Sequence, residues 1–176
     1  MAPSAQAVSD PVAPATLVIG YGNTLRGDDG VGYQVAEAVL DWHLARVHSL
    51  PCHQLTPELA ADIAQVQRVV FVDAAIAPTT PPPEVTLEPL HPDEDLAFTT
   101  HTATPSALLA LTKWLYGATP TAYQLTIPAI AFAMGETLSP MTAQGKALAL
   151  ERLRQLCTDA KDVQPSIRPT WRYALT

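Results

Sequence analysis

The stretch LVIGYGNTLRGDDGVGYQVAEAV, residues 17–39, joins a strand pattern, a glycine-rich turn and a helical pattern. The β-branched apolar run at 16–21 is stopped by glycine, which is typical of a buried strand in an open sheet. After the turn, valines recur at helical spacing from Val31, and Asp28 or Asp29 is available as the helix N-cap. The stretch therefore predicts a strand, a loop and a helix in that order.

The same alternation continues along the chain. The apolar run RVVFVDAA at 68–75 predicts a second buried strand, which ends in one aspartate. Alternating strands and helices indicate an α/β fold, so we expect a single three-layer domain with a twisted, mostly parallel open sheet and helices on both faces. Weaker patterns predict strands at 46–55, 84–90 and 122–132, and helices at 57–66, from Pro105 (capped by Thr104) and at 139–157.

Composition suggests where the domain begins and ends. The 176-residue chain is 48% hydrophobic and 15% charged, which suits one folded domain. We predict a flexible N-terminal tail at 1–15, the α/β domain at 16–158 and a C-terminal tail at 159–176. A proline-rich connection at 76–85 should be stiff and exposed.

Charge and apolar patterning exclude several classes of partner. The formal net charge is −7 and no basic run is present, so nucleic acid is not an expected partner. No apolar run approaches the length of a membrane span, and the N-terminus does not resemble a signal peptide. The two cysteines are far apart and lack metal or disulfide spacing. We therefore expect a soluble cytoplasmic monomer.

The glycine-rich turn is better suited to a cation than to a phosphate. A dinucleotide fingerprint would need a third glycine where Leu25 stands. Asp28 and Asp29 would also fill the partly positive helix N-terminus at which a pyrophosphate binds. Capping explains one aspartate, whereas two adjacent carboxylates are easier to explain if a cation or a shared proton lies nearby.

Two further residues complete a candidate site. Asp73 stands at the carboxyl tip of its strand, the edge at which doubly wound sheets bind ligands. If the strands at 16–21 and 68–75 are parallel neighbours, both carboxylate sites open into one crevice. His101 precedes a helix N-terminus, which should keep its imidazole neutral and able to bind a metal. Two carboxylates and one imidazole would form an open metal site, although a loop aspartate and a solvated histidine are the plain alternatives.

These residues resemble a known family, the hydrogenase maturation endopeptidases. Members of that family trim the C-terminus of the nickel-containing large subunit of NiFe hydrogenases. The resemblance lies in four blocks, which follow one another in the family's order: LVIGYGNTLRGDDGVG, VVFVDAA, THTATPSALL and GETLSP. The family often has glutamate at the position of Asp29.

The resemblance implies a substrate and a role for each residue. The partner would be the large-subunit precursor, and Asp29, Asp73 and His101 would contact nickel already placed in that precursor. Nickel would then be a recognition mark and not a resident cofactor. Asp73 or Asp28 would be catalytic as the base that activates water in an aspartic-type endopeptidase, with nickel polarising the scissile carbonyl. Asp28 could equally serve only to hold the loop.

Two other function classes remain open at this stage. One is a non-catalytic metal-sensing or nucleotide-binding module built on the same strand-loop-helix unit. The other is a metal hydrolase of small substrates. The sequence has no G-x-S-x-G elbow, no H-E-x-x-H helix and no Walker loop, which disfavours serine and zinc-helix hydrolases and P-loop enzymes.

Overall fold

A computed structural model of the chain describes residues 16–77, 84–94 and 103–158. Both predicted tails and His101 lie outside the described residues. The strands are β1 (Thr16–Tyr21), β2 (Val47–Cys52), β3 (Arg68–Ile76), β4 (Thr86–Leu90) and β5 (Thr121–Ala129). The helices are α1 (Val31–Leu40), α2 (Leu59–Ile63), α3 (Pro105–Tyr116) and α4 (Pro140–Thr158), and a 3-10 helix at Gly27–Gly30 precedes α1.

The five strands form one sheet in the order β2-β1-β3-β5-β4. All neighbouring strands are parallel except β4 and β5, which are antiparallel. The α/β prediction is therefore confirmed. The chain winds outward from β1 to β2 and then returns to β3 on the other side of β1, so the strand order reverses between β1 and β3.

Helices cover both faces of the sheet, which produces the predicted three layers. Apolar residues of α1 and α4, including Val35 and Leu153, pack with Val70 on one face. Ile63 of α2 and Leu108 of α3 pack with the opposite face. Successive residues of a strand point to opposite faces, and this is why the central strands are apolar along their whole length.

The prolines in the strands lie where a missing N–H costs little. Pro51 and Pro89 belong to β2 and β4, the two edge strands. Pro128 lies in β5 beyond Thr126, the last β5 residue that pairs with β4. The strand predicted at 122–132 therefore contains its proline without a break and ends at Ala129.

Two helix starts behave differently from each other. Thr104 caps α3 as predicted, since its hydroxyl oxygen accepts a hydrogen bond from the Ala107 N–H at 3.1 Å. The prediction that Asp28 or Asp29 caps α1 is wrong, because the N-cap is Gly30 and no side chain bonds there. The 3-10 helix carries the chain into α1, which leaves both carboxylates free to bond elsewhere. The helix predicted at 57–66 is confined to the five residues of α2.

Candidate active site

The site predicted from the sequence lies where the strand order reverses. Asp29 follows β1, Asp73 lies near the carboxyl end of β3, and the two strands are parallel neighbours. In open α/β sheets this reversal opens a crevice outside the carboxyl ends of the strands. Burial raises the pKa of the Asp73 carboxyl, and the nearby charge of Asp29 adds to the rise. Asp29 and Asp73 therefore lie at the same edge of the sheet.

Glycines bring the loop close to the strand ends. A Cβ on Gly32 would collide with the backbone oxygens of Tyr21 and Val72, so only glycine lets α1 start directly over β1 and β3. Gly22 has φ +140°, and a Cβ there would collide with the backbone oxygen of Asp29. These contacts fix the distance between the Asp29 loop and β3.

Asp29 is held within its own loop. Its Oδ2 accepts a hydrogen bond from the Asn23 N–H at 3.1 Å. The Asn23 side chain in turn accepts from the Leu25 N–H at 2.9 Å, which is the turn-holding role expected of asparagine. One backbone donor leaves most of the Asp29 carboxylate available to a ligand.

Asp73 is a half-buried carboxylate with a raised pKa. Burial is the main cause of the rise, and the charge of Asp29 adds to it. The Tyr21 hydroxyl and the Ala74 N–H, which is 2.8 Å from Oδ1, donate to Asp73 and partly offset the rise. Burial and the neighbouring Asp73 raise the pKa of Tyr21, so its hydroxyl keeps the proton that it donates.

Asp28 is placed very differently from Asp29. Its side chain is fully buried, and both carboxylate oxygens accept hydrogen bonds from the loop at residues 130–139. The donors are Ile130 N–H and Ala131 N–H at 2.9 Å, Ser139 N–H at 2.6 Å and the Ser139 hydroxyl at 2.8 Å. Asp28 thus joins the glycine-rich loop to the segment that leads into α4.

Backbone hydrogen bonds reinforce this junction. Gly27 N–H donates to Gly135 O at 2.6 Å, Asp28 N–H to Ala131 O at 2.8 Å, and Gly135 N–H to Leu25 O at 2.9 Å. Ser139 also accepts from the Thr142 N–H at 3.3 Å, so the same hydroxyl caps α4. The two loops therefore behave as one unit above the carboxyl edge of the sheet.

The three-ligand metal site stays a prediction. Its third predicted ligand, His101, lies outside the described residues. Within 16–77, 84–94 and 103–158, no three His, Cys, Asp or Glu side chains are grouped so as to hold a metal ion. Of the predicted ligands, Asp29 and Asp73 are described, and the charge of Asp29 adds to the burial that raises the pKa of Asp73.

Solved structures with a similar fold identify the fold of the chain. HybD, a hydrogenase maturating endopeptidase from E. coli, is 21% identical and aligns over 83% of this chain and 93% of its own, with a TM-score of 0.65. HycI, a NiFe hydrogenase maturation protease from Thermococcus kodakarensis, is 21% identical over 85% and 94%, with a TM-score of 0.61. A hydrogenase 2 maturation peptidase from a Thaumarchaeota archaeon is 23% identical over 81% and 97%, with a TM-score of 0.61.

The chain has the fold of the hydrogenase maturation endopeptidases. No family model matches the chain, and no curated protein does. The likeness extends over nearly the whole length of each of these structures. Among the described residues, no helix has both the length and the apolar character needed to cross a membrane.

Sequence reasoning missed two participants in the site. The strand pattern predicts Tyr21 only as the last residue of β1, yet its hydroxyl bonds to Asp73. Ser139 was recognised only as the start of a helix, yet it bonds to Asp28 across 111 positions of sequence. The surplus of aspartates in the loop was the one available signal, since capping could not occupy both.

The hydrogen bonds to Asp28 predict an unusual titration. Burial alone would raise its pKa, but the four donors outweigh burial and lower the pKa to about 2. Since the pKa is lower in the folded than in the unfolded state, this carboxylate stabilises the fold above its unfolded pKa. That stabilisation is lost as the pH falls from about 4 towards 2. Carboxyl carbon NMR should give a midpoint near pH 2 for Asp28, and a midpoint near 4 would contradict the hydrogen-bonded arrangement.

Proposed function

We propose that this protein is an endopeptidase that removes the C-terminal extension of a NiFe-hydrogenase large-subunit precursor already loaded with nickel. One observation carries the proposal. Asp29 and Asp73 lie near each other where the strand order reverses, in the fold that hydrogenase maturation endopeptidases have. The resemblance of the loop and strand sequences to that family points to the same reaction. The proteins with similar structures are named as hydrogenase maturation endopeptidases or proteases.

In this proposal Asp29, Asp73 and His101 contact the nickel of the precursor. Nickel arrives with the substrate and is not a resident cofactor. Two carboxylates and an imidazole leave coordination positions open for the ligands that the precursor supplies. When bound, the nickel would mark the correct precursor and polarise the scissile carbonyl.

Asp73 is a better candidate than Asp28 for the base that activates water. A half-buried carboxylate with a raised pKa accepts a proton more readily, whereas Asp28 has a pKa of about 2 and both oxygens in use. Asp73 would take a proton from water as the hydroxide adds to the carbonyl carbon. It would return that proton to the leaving amine as the C–N bond breaks. Asp28 then serves to position the Asp29 loop.

The direct test is to incubate the purified protein with a nickel-loaded large-subunit precursor and follow the precursor by mass spectrometry. We expect the precursor to lose a C-terminal peptide, and we expect the nickel-free precursor to keep it. An unchanged mass of the nickel-loaded precursor, under conditions in which a known maturation endopeptidase cleaves its own precursor, would refute the proposal.

The alternative function, a nucleotide-binding module, can be tested by measuring thermal stability with and without a dinucleotide. A dinucleotide at millimolar concentration would raise the melting temperature of a nucleotide-binding module through linkage. In this loop the four donors to Asp28 already occupy its carboxylate, and Asp29 adds a second negative charge beside the 3-10 helix. We expect no shift in the melting temperature with dinucleotide.

A further inference from the structure

The strand that carries Asp73 continues beyond its neighbour β1, and among the described residues no strand pairs with its last residues on that side. The pairing of β1 with β3 ends at Gly20 and Val72, whereas β3 continues to Ile76 along β5. Across 16–77, 84–94 and 103–158, no other strand pairs with β3 on the side of β1. Residues 73–76 therefore form a short open edge that extends the position of β1.

Two hydrogen bonds show which backbone groups face this open edge. Ala77 N–H donates to Ala129 O at 2.9 Å, so the peptide groups of the odd-numbered residues point toward β5. Ala74 N–H points the other way and is bonded to the Asp73 carboxylate at 2.8 Å. By the same alternation, the C=O of Ala74 and both peptide groups of Ile76 face the open edge. One N–H donor and two C=O acceptors of the β3 backbone are therefore available to pair with an added strand.

Exposed apolar side chains surround this edge. Leu25, Ile76, Ile130 and Met134, here called the apolar rim, are 52%, 82%, 59% and 82% exposed. The backbone places them in two pairs: Ile76 pairs with Ala129, the neighbour of Ile130, and the Leu25 oxygen accepts a hydrogen bond from the N–H of Gly135, the neighbour of Met134. Single exposed apolar residues are ordinary, whereas several near one end of the sheet indicate a binding surface.

The charges at the edge restrict what can bind. Asp73 is the first residue of this edge and Asp29 follows the neighbouring strand β1, so two carboxylates lie near its start, and their like charges repel each other. An acidic segment would add to that repulsion, whereas a segment carrying a cation would relieve it. The matching occupant is an extended polypeptide with apolar side chains, no acidic ones and a bound cation.

We infer that an extended segment of the precursor, next to the bond to be cut, docks as an added strand on residues 74–76, with its apolar side chains on the apolar rim. Strand addition supplies affinity through backbone hydrogen bonds, and pockets for alternate side chains supply selectivity. This inference rests on the proposed function, since the occupant is the tail of its substrate. This docking mode would account for the extension of β3 beyond β1 and for the exposure of the apolar rim.

The first test measures binding without cleavage. A fluorescein-labelled synthetic peptide that copies the precursor tail across the cleavage site is titrated with the full-length protein in the presence of Ni²⁺. The double variant Ile76→Ser/Met134→Ser should raise the Kd roughly tenfold or more, because two apolar contacts are lost. The matched control is Trp114→Ser/Leu115→Ser, which alters two exposed apolar residues of α3 and should leave the Kd unchanged.

The second test addresses the backbone. N-methylation of the peptide at one position at a time removes a single N–H donor. If the peptide pairs as a strand, binding should weaken strongly at every second position and weakly between them. A smooth dependence on position, or a rim variant that binds like the wild type, would overturn the inference.

These results separate the inference from the proposed function. If the wild-type protein cleaves the nickel-loaded precursor and the rim variant does so with the same KM, the docking mode is wrong while the peptidase stands. If the wild type binds the peptide with an alternating pattern yet cleaves no precursor, the docking mode stands and the peptidase is refuted. If it neither binds nor cleaves, both are refuted.

Discussion

Replacing Asp73 with asparagine is expected to slow cleavage of the nickel-loaded precursor by about 10²- to 10⁴-fold, the usual contribution of a general base. The amide keeps the shape of the side chain, and its oxygen can still accept from Ala74 N–H and the Tyr21 hydroxyl. It cannot take a proton from water, and it offers the nickel no charge. The measurement is the rate at which the shortened precursor accumulates in single-turnover mass spectrometry.

The same substitution should not destabilise the fold. Burial and the charge of Asp29 raise the pKa of Asp73 in the folded state above its unfolded value. The ionised carboxylate at neutral pH therefore costs stability, and asparagine removes that cost. Urea unfolding at pH 7 should give a midpoint equal to or above that of the wild type.

A matched control for Asp73→Asn is available in α2. Asp62 is also half-buried, and burial raises its pKa, but it lies on a helix that covers one face of the sheet. Asp62→Asn should leave cleavage unchanged. Undiminished cleavage by Asp73→Asn, or an equal loss in both variants, would remove Asp73 from its proposed role.

Replacing Asp28 with alanine should have the largest effect on stability. Three backbone N–H groups and one hydroxyl would lose their acceptor, and Ile130, Ala131 and Ser139 would be left with unpaired donors. Removing one partner from a buried charged network costs about 3–5 kcal/mol. The measurement is the free energy of unfolding in urea at pH 7.

The neighbouring aspartate is the control for this prediction. Asp29→Ala removes an acceptor for a single backbone N–H, that of Asn23, and should cost about 1 kcal/mol. Cleavage should nevertheless be lost in Asp29→Ala, because the nickel of the precursor loses a ligand. If Asp28→Ala unfolds at the same urea concentration as the wild type, Asp28 does not hold the two loops together.

The fold followed from the sequence because its signals are local. The run that ends at Asp73 is apolar on both faces, so it had to be a central strand covered by helices. That placement, together with a glycine stop after β1, was enough to bring Asp29 and Asp73 to one edge of the sheet. The start of α3 was equally readable, since Thr104 and Pro105 act on the helix that immediately follows them.

The partners of Asp28 could not be predicted in the same way. A carboxylate before a helix is ordinarily a cap, and nothing within ten residues indicates an acceptor for a distant loop. Its donors lie 102 to 111 positions away, and only the packed loops bring them together. The predicted length of α2 is wrong for a related reason. Apolar spacing alone does not define where a helix begins and ends.

The hydroxyl of Ser139 makes two hydrogen bonds. It accepts one from the first turn of α4 and donates the other to the carboxylate of Asp28. The two positions are therefore not expected to change independently in evolution, even though they lie 111 positions apart in the sequence. If Asp28 is replaced, Ser139 loses its hydrogen-bond acceptor in the loop. If Ser139 is replaced, α4 loses its cap and Asp28 loses a donor. Substitutions at these sites should be inherited in pairs.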